Sequence, residues 1–140
     1  MIIFSSVLQR LEQVNLLSVV ESPSHPNFSA LYARFGFAEL KVASQRTAMK
    51  VVKNTPPDWL VVEFFYGYAN NYAGINMCNL DVLFYALQRY APNSKVVILV
   101  QKSERQYVDK LSRIFPIHGV LCQPVAEAEM QELLQNSGLS

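Results

Sequence analysis

Residues 95–100 read Lys-Val-Val-Ile-Leu-Val and residues 59–65 read Trp-Leu-Val-Val-Glu-Phe-Phe. Each is a short, nearly unbroken apolar run rich in β-branched residues, the pattern of a strand covered on both faces in a parallel sheet. Working outward, further short apolar segments fall at 16–21, 37–43 and 119–123, and stretches with helical spacing separate them all. Between the first two strands, Pro26 suits the opening turn of a helix, Phe28, Leu31, Tyr32 and Phe35 share a face, and Gly36 stops it. Ser24 is the expected cap of that helix. Ser44 caps a second helix reaching Asn54, ended by Thr55-Pro56-Pro57. A third begins near Asn79, with Leu80, Leu83, Phe84, Leu87 and Tyr90 on its apolar side. A fourth covers 103–115, where Ser103 and Gln106 have capping-box spacing and Tyr107, Val108, Leu111 and Ile114 form the buried stripe. The fifth runs over 126–136 with Glu127 and Glu129 in its first turn and Gly138 as its stop.

Strand and helix alternating five times specify an α/β fold with a five-stranded parallel sheet and helices on both faces, a (βα)5 three-layer sandwich. The segment Ala38-Glu39-Leu40-Lys41-Val42 alternates apolar and polar residues, as an edge strand does. A flavodoxin-like order of 2-1-3-4-5 puts it there and makes the boundary between strands one and three the switch point where ligands of such sheets bind. The domain so defined spans 16–140. Residues 1–15 form an N-terminal extension, expected to be helical because Phe4, Val7, Leu8, Leu11 and Val14 lie at helical spacing. Such a helix docks on its own domain or serves a dimer or partner. A membrane-surface role has little electrostatic support from Arg10, Glu12 and Gln13.

With 140 residues, 12 basic and 11 acidic side chains and a net charge of +1, the chain is long enough for one core and lacks the basic excess of a phosphate-neutralising protein. No nucleic-acid partner is therefore expected. Two cysteines, Cys78 and Cys122, are too few for a disulfide framework, and the expectation is a reduced, cytoplasmic protein without a signal peptide or a membrane span. His25 and His118 do not stand at zinc-ligand spacing from either cysteine, and Cys122 reads as a buried strand thiol. Ser22, Ser24 and His25 raise hydrolase chemistry, but no nucleophile-elbow motif frames them, and no glycine-rich phosphate loop follows the first strand. No metal and no cofactor are expected.

At the carboxyl ends of the strands stand Glu21 and Ser22, Glu63, Val100 with Gln101, and Gln123 with Pro124. Together with Pro57-Asp58-Trp59-Leu60-Val61-Val62-Glu63, Leu87-Gln88-Arg89 with Pro92, the run 96–100, and Gly119-Val120-Leu121-Cys122-Gln123-Pro124, they resemble response-regulator receiver domains of the CheY-like superfamily, from about Leu16 to the end of the chain. Receivers accept a phosphoryl group on an aspartate, hold Mg²⁺ on an acidic pair, and use a Thr or Ser and a Lys around the phosphate. Against that pattern Glu63 replaces the acceptor aspartate, Glu21 and Ser22 replace the acidic pair, Val100 the hydroxyl, and Gln123 the lysine. Val120 takes the place of the aromatic switch residue. The resemblance therefore implies a pseudo-receiver without the phosphoacceptor, a phosphorylation-independent, non-enzymatic module of two-component signalling that binds a protein partner or forms a homodimer. By the same resemblance the interface lies on the last helices, with Arg105, Tyr107, Lys110 and Arg113 as contacts.

Two alternatives stay open on these residues. In one, Glu63 and Glu21 keep residual Mg²⁺ and phosphoryl chemistry, against which a longer side chain and the missing partners argue. The blander reading makes Glu63 a strand-end acid hydrogen-bonded by nearby amides, with Gln123 as an intermediary. The other alternative is a small-molecule sensor using the long aromatic stretch 64–79. There Tyr66, Tyr68, Asn70, Asn71 and Tyr72 are candidates for a lid over the vestigial pocket or for a binding surface.

Overall fold

In a computed structural model of the protein, residues 13–66 and 78–137 are described. The strands are β1 (Val14–Val19), β2 (Phe37–Val42), β3 (Trp59–Glu63), β4 (Lys95–Gln101) and β5 (Gly119–Gln123), all parallel, in the order β2-β1-β3-β4-β5. The helices are α1 (Ser29–Arg34), α2 (Gln45–Asn54), α3 (Asp81–Tyr90), a 3-10 helix (Lys102–Arg113) and α4 (Glu127–Ser137). The sheet order is the one expected, with the alternating segment at the edge and the two continuous apolar runs inside.

The period of two along each strand divides the core into two layers. Leu17, Val19, Leu60, Val62, Ile98 and Val100 pack with residues of α2, α3 and the 3-10 helix. Leu16, Trp59, Val61, Val97 and Leu99 face the opposite way and pack with Leu31 and Tyr32 of α1 and Met130 and Leu134 of α4. Glu63 continues the second alternation at the end of β3, which puts a carboxylate where an apolar residue would otherwise lie.

Local signals hold at some ends and yield at others. The Ser44 hydroxyl accepts from the Thr47 amide at 3.1 Å, as its position predicts. Ser44→Ala is expected to cost about 1 kcal/mol, read as a lower urea midpoint at unchanged slope. Gly36 ends α1 at φ +79°, a conformation that a Cβ would strain. α1 itself is short, since the segment before it is drawn towards Glu63. Ser24 does not cap it; Asn27 Oδ1 accepts from the Ser29 amide instead. The expected helix at 103–115 is a 3-10 helix with no side-chain cap, so Ser103 and Gln106 form no capping box. Val108, Leu111 and Ile114 recur every three residues, which is the period that a 3-10 helix places in line.

β1 begins at Val14, so Val14 and Asn15 of the expected extension pair with Phe37 and Ala38 of β2. Tertiary bonding recruits them: the Asn15 amide donates to Asp58 Oδ2 at 2.8 Å, and the Asp58 amide to the Asn15 carbonyl at 2.9 Å. The helical reading of Phe4, Val7, Leu8 and Leu11, and Gly138 as a stop, lie outside the described residues. Among the described residues, no helix is long and apolar enough to cross a membrane.

Candidate functional site

Glu63 ends β3 at the switch point between β1 and β3 and is fully buried. A carboxylate there needs donors, and the turn after β1 supplies them. Glu63 Oε1 accepts from the backbone amides of Glu21 at 2.9 Å and Ser22 at 3.1 Å, and the Ser22 hydroxyl donates to Oε2. His25 Nδ1 lies 3.2 Å from Oε1 on a side chain 3% exposed. An ionised carboxylate only accepts, so Nδ1 carries a proton in this bond. Burial alone would push the Glu63 carboxyl up. The bonds from His25, Ser22 and the Glu21 amide, with the charge of His25, outweigh it and hold the carboxyl below its ordinary value. These bonds also explain where β1 stops, because the Glu21 amide turns away to Glu63.

A second layer of amides surrounds this cluster. Glu21 Oε1 accepts from Gln45 Nε2 at 2.8 Å and Asn79 Nδ2 at 3.3 Å, and Asn79 Nδ2 also donates to the Glu63 carbonyl at 2.8 Å. Asn79 Oδ1 takes the Phe65 amide, so one side chain ties the end of β3 to the start of α3. Gln123 does not reach Glu63. Its Nε2 donates to the Ser24 carbonyl at 3.2 Å and its Oε1 accepts from Gln101 at 3.3 Å. The Ser24 hydroxyl lies 2.9 Å from that of Ser22.

Of the residues singled out from the sequence, Glu21, Ser22 and Glu63 therefore meet directly, and Gln123 joins at the rim. Val100 does not, since its side chain is buried in the layer packed with α2 and α3. Gln45 and Asn79 were not expected at this site, and His25, read beside Ser22 and Ser24 near the switch point, was not expected as a partner of Glu63. The signal for His25 was present: a buried acid at a central strand end requires nearby donors, and Ser22-Pro23-Ser24-His25-Pro26 is the polar turn facing it. His118 lies at the opposite end of the sheet, edge-on to Trp59 with ring centroids 5.1 Å apart. Cys78 is the buried thiol, pushed up to about 12 mainly by burial and by Asp81, whereas Cys122 is only half-buried on the edge strand β5.

Tyr66 does not cover the Glu63 cluster. It is 41% exposed, stacks on Tyr107 with centroids 3.7 Å apart and an 11° interplanar angle, and bridges to Cys78. The Tyr66 amide donates to Glu104 Oε1 at 3.1 Å, so the chain just after β3 is fastened to the 3-10 helix. Tyr68, Asn70, Asn71 and Tyr72 lie outside the described residues. On the 3-10 helix, Arg105, Lys110 and Arg113 are exposed and Tyr107 is half-buried, with Arg105 paired to Asp109 at 3.4 Å.

No family model matches this sequence, and no curated protein does. Solved structures do. A response regulator from Thermotoga maritima superposes with a TM-score of 0.67 at 14% identity, covering 91% of this chain and 99% of its own. A CheY-like response regulator receiver domain from Methylobacillus flagellatus gives 0.65 at 18%, covering 89% and 98%. The REC domain of AraT, a response regulator from Geobacillus stearothermophilus, gives 0.64 at 14%, covering 88% and 91%. The fold is thus that of a receiver domain, a flavodoxin-like parallel sheet of order 2-1-3-4-5.

A receiver fold raises the question of Mg²⁺. The donor set here suits it poorly, because a hard cation draws on several oxygens at once and Glu63 Oε1 already faces two amides and the His25 ring. Both Glu63 oxygens and Glu21 Oε1 accept from N–H or O–H groups, and the His25 ring nitrogen lies 3.2 Å from Glu63 Oε1. Among the described residues, no group of three or more His, Cys, Asp or Glu side chains is placed to hold an ion.

Proposed function

We propose that this chain is a non-enzymatic signalling module of receiver fold that acts by contact with a protein, independently of phosphorylation. The carrying observation is the fully buried Glu63, whose carboxylate is bonded by the Glu21 and Ser22 amides, the Ser22 hydroxyl and His25. In-line attack needs an accessible oxygen, a positioned donor and a charge to offset that of the phosphoryl group. Here the protein's own donors occupy the acceptor and favour its ionised, bonded state. The contact surface is the 3-10 helix, with Arg105, Tyr107, Lys110 and Arg113, and its occupant is a cytoplasmic protein partner or a second copy of the chain.

The test is a two-dimensional amide NMR titration with Mg²⁺ followed by beryllofluoride, which mimics an acyl phosphate on a suitable carboxylate. The expected result is an unchanged spectrum at Glu21, Ser22 and Glu63. Saturable shifts centred on those amides would overturn phosphorylation independence. A homodimer through the 3-10 helix would show as concentration-dependent sedimentation that Arg113→Glu abolishes.

A further inference from the structure

A cavity of about 370 Å³ lies beside the Glu63 cluster, between the turn after β1 and the end of the edge strand β2. Its volume falls within the range of small-molecule sites. Val20 and Val42 contribute apolar wall, and Glu39, Lys41, Asn27 and His25 the polar groups. Glu39 and Lys41 project from the same face of β2, about 6.7 Å apart along the strand. Opposite charges so placed ordinarily pair. These do not: the ion pairs among the described residues are His25–Glu63, Arg34–Glu127 and Arg105–Asp109. The cause is visible, since Glu39 Oε2 accepts from the Ser18 hydroxyl at 2.7 Å and Oε1 from the Ser29 hydroxyl at 2.6 Å. Two hydroxyls from β1 and α1 hold the carboxylate, and the Lys41 ammonium is left without an anion among the described residues.

A fixed carboxylate and an unpaired ammonium flanking one cavity complement a ligand that carries both charges. We infer that this cavity binds a small zwitterion of the α-amino-acid class, its ammonium on Glu39 and its carboxylate on Lys41. Asn27 supplies a further hydrogen-bonding group, and Val20 and Val42 contact the ligand's carbon skeleton. His25 connects this site to the one described above. The residue lines the cavity while its nearly buried ring bonds Glu63 through Nδ1, so a ligand held here lies one residue from the switch point of the sheet. This inference stands on the Glu39–Lys41 geometry and does not depend on the proposed protein contact.

The experiment is an amide NMR titration of the full chain with L-glutamine and separately with L-alanine, up to about 10 mM, where a Kd of about 1 mM is close to saturation. The expected result is saturable shifts at His25, Asn27 and Lys41 with at least one of the two, together with movement of the His25 ring-proton signals. Lys41→Met is expected to weaken binding about tenfold or more, the loss of one charge-assisted bond. Glu39→Gln is expected to do the same while its amide oxygen still accepts from one serine. Lys41 is exposed, so its variant folds and decides the matter alone if the Glu39 variant does not. Sodium acetate and methylammonium serve as single-charge controls. Acetate shifts equal to those of the amino acids would overturn the zwitterion in favour of a plain anion site. No shift with either amino acid, or equal binding by Lys41→Met, would overturn the site itself.

Discussion

Glu63→Ala is expected to destabilise the protein by about 3 kcal/mol, the cost of leaving buried donors and a histidine without their acceptor. Few positions concentrate as many bonds on one side chain. Removing the carboxylate strands the Glu21 and Ser22 amides, the Ser22 hydroxyl and the His25 ring together. Thermal denaturation should show a midpoint lower by roughly 10 °C. Glu63→Gln keeps the shape and one acceptor and should cost less. The two proteins also differ in pH dependence. The folded-state carboxyl titrates below its ordinary value of 4.5, so its contribution is fully present above that value and is lost as the pH falls through the lower, folded-state value. The stability margin of the wild type over Glu63→Gln, read from urea midpoints, should therefore hold at neutral pH and shrink below about pH 4.5. A margin that does not change between neutral and strongly acid pH would mean that the Glu63 charge is not what the cluster stabilises.

Phe84→Ala is expected to cost about 4 kcal/mol, the combined loss of transfer free energy and creation of a cavity. Phe84 is 0% exposed on α3, and its ring meets Phe115 edge to face with centroids 6.2 Å apart at 73°. It joins α3 to the chain that follows the 3-10 helix, within the layer containing Leu83, Leu87, Val108 and Leu111. Neighbouring Tyr85 points outward at 57% exposure, and Tyr85→Ala should stay within about 0.5 kcal/mol. Scanning calorimetry of the pair tests the orientation of α3 directly. Equal losses from both would show the helix rotated from its described face.

The Ser22–His25 turn folds back over the carboxylate, and Asn79 and Gln45 secure the second acid, Glu21, so no oxygen of Glu63 is left without a donor. Tyr66 is fastened to Tyr107 and Glu104 of the same 3-10 helix that bears the proposed contact residues.

The sheet was legible in the sequence because its information is local and repeated. Continuous apolar runs at 59–62 and 96–100 have to lie inside, the alternating 38–42 run has to lie at an edge, and helical spacing between them requires parallel crossovers. Ser44 and Gly36 marked their helix ends for equally local reasons, a side-chain cap and a positive φ. Glu21, Ser22 and Glu63 could be placed together because strand ends at a switch point converge by topology. What only the tertiary structure decided is how the donors are shared. Ser24 lost its capping role because its turn is pulled to Glu63, β1 gained Val14 and Asn15 through Asp58, and Val100 turned to the other layer by the parity of its strand. His25, 38 residues from its partner, reached Glu63 because a buried carboxylate takes the nearest donors in space, and a linear pattern does not record distances in space.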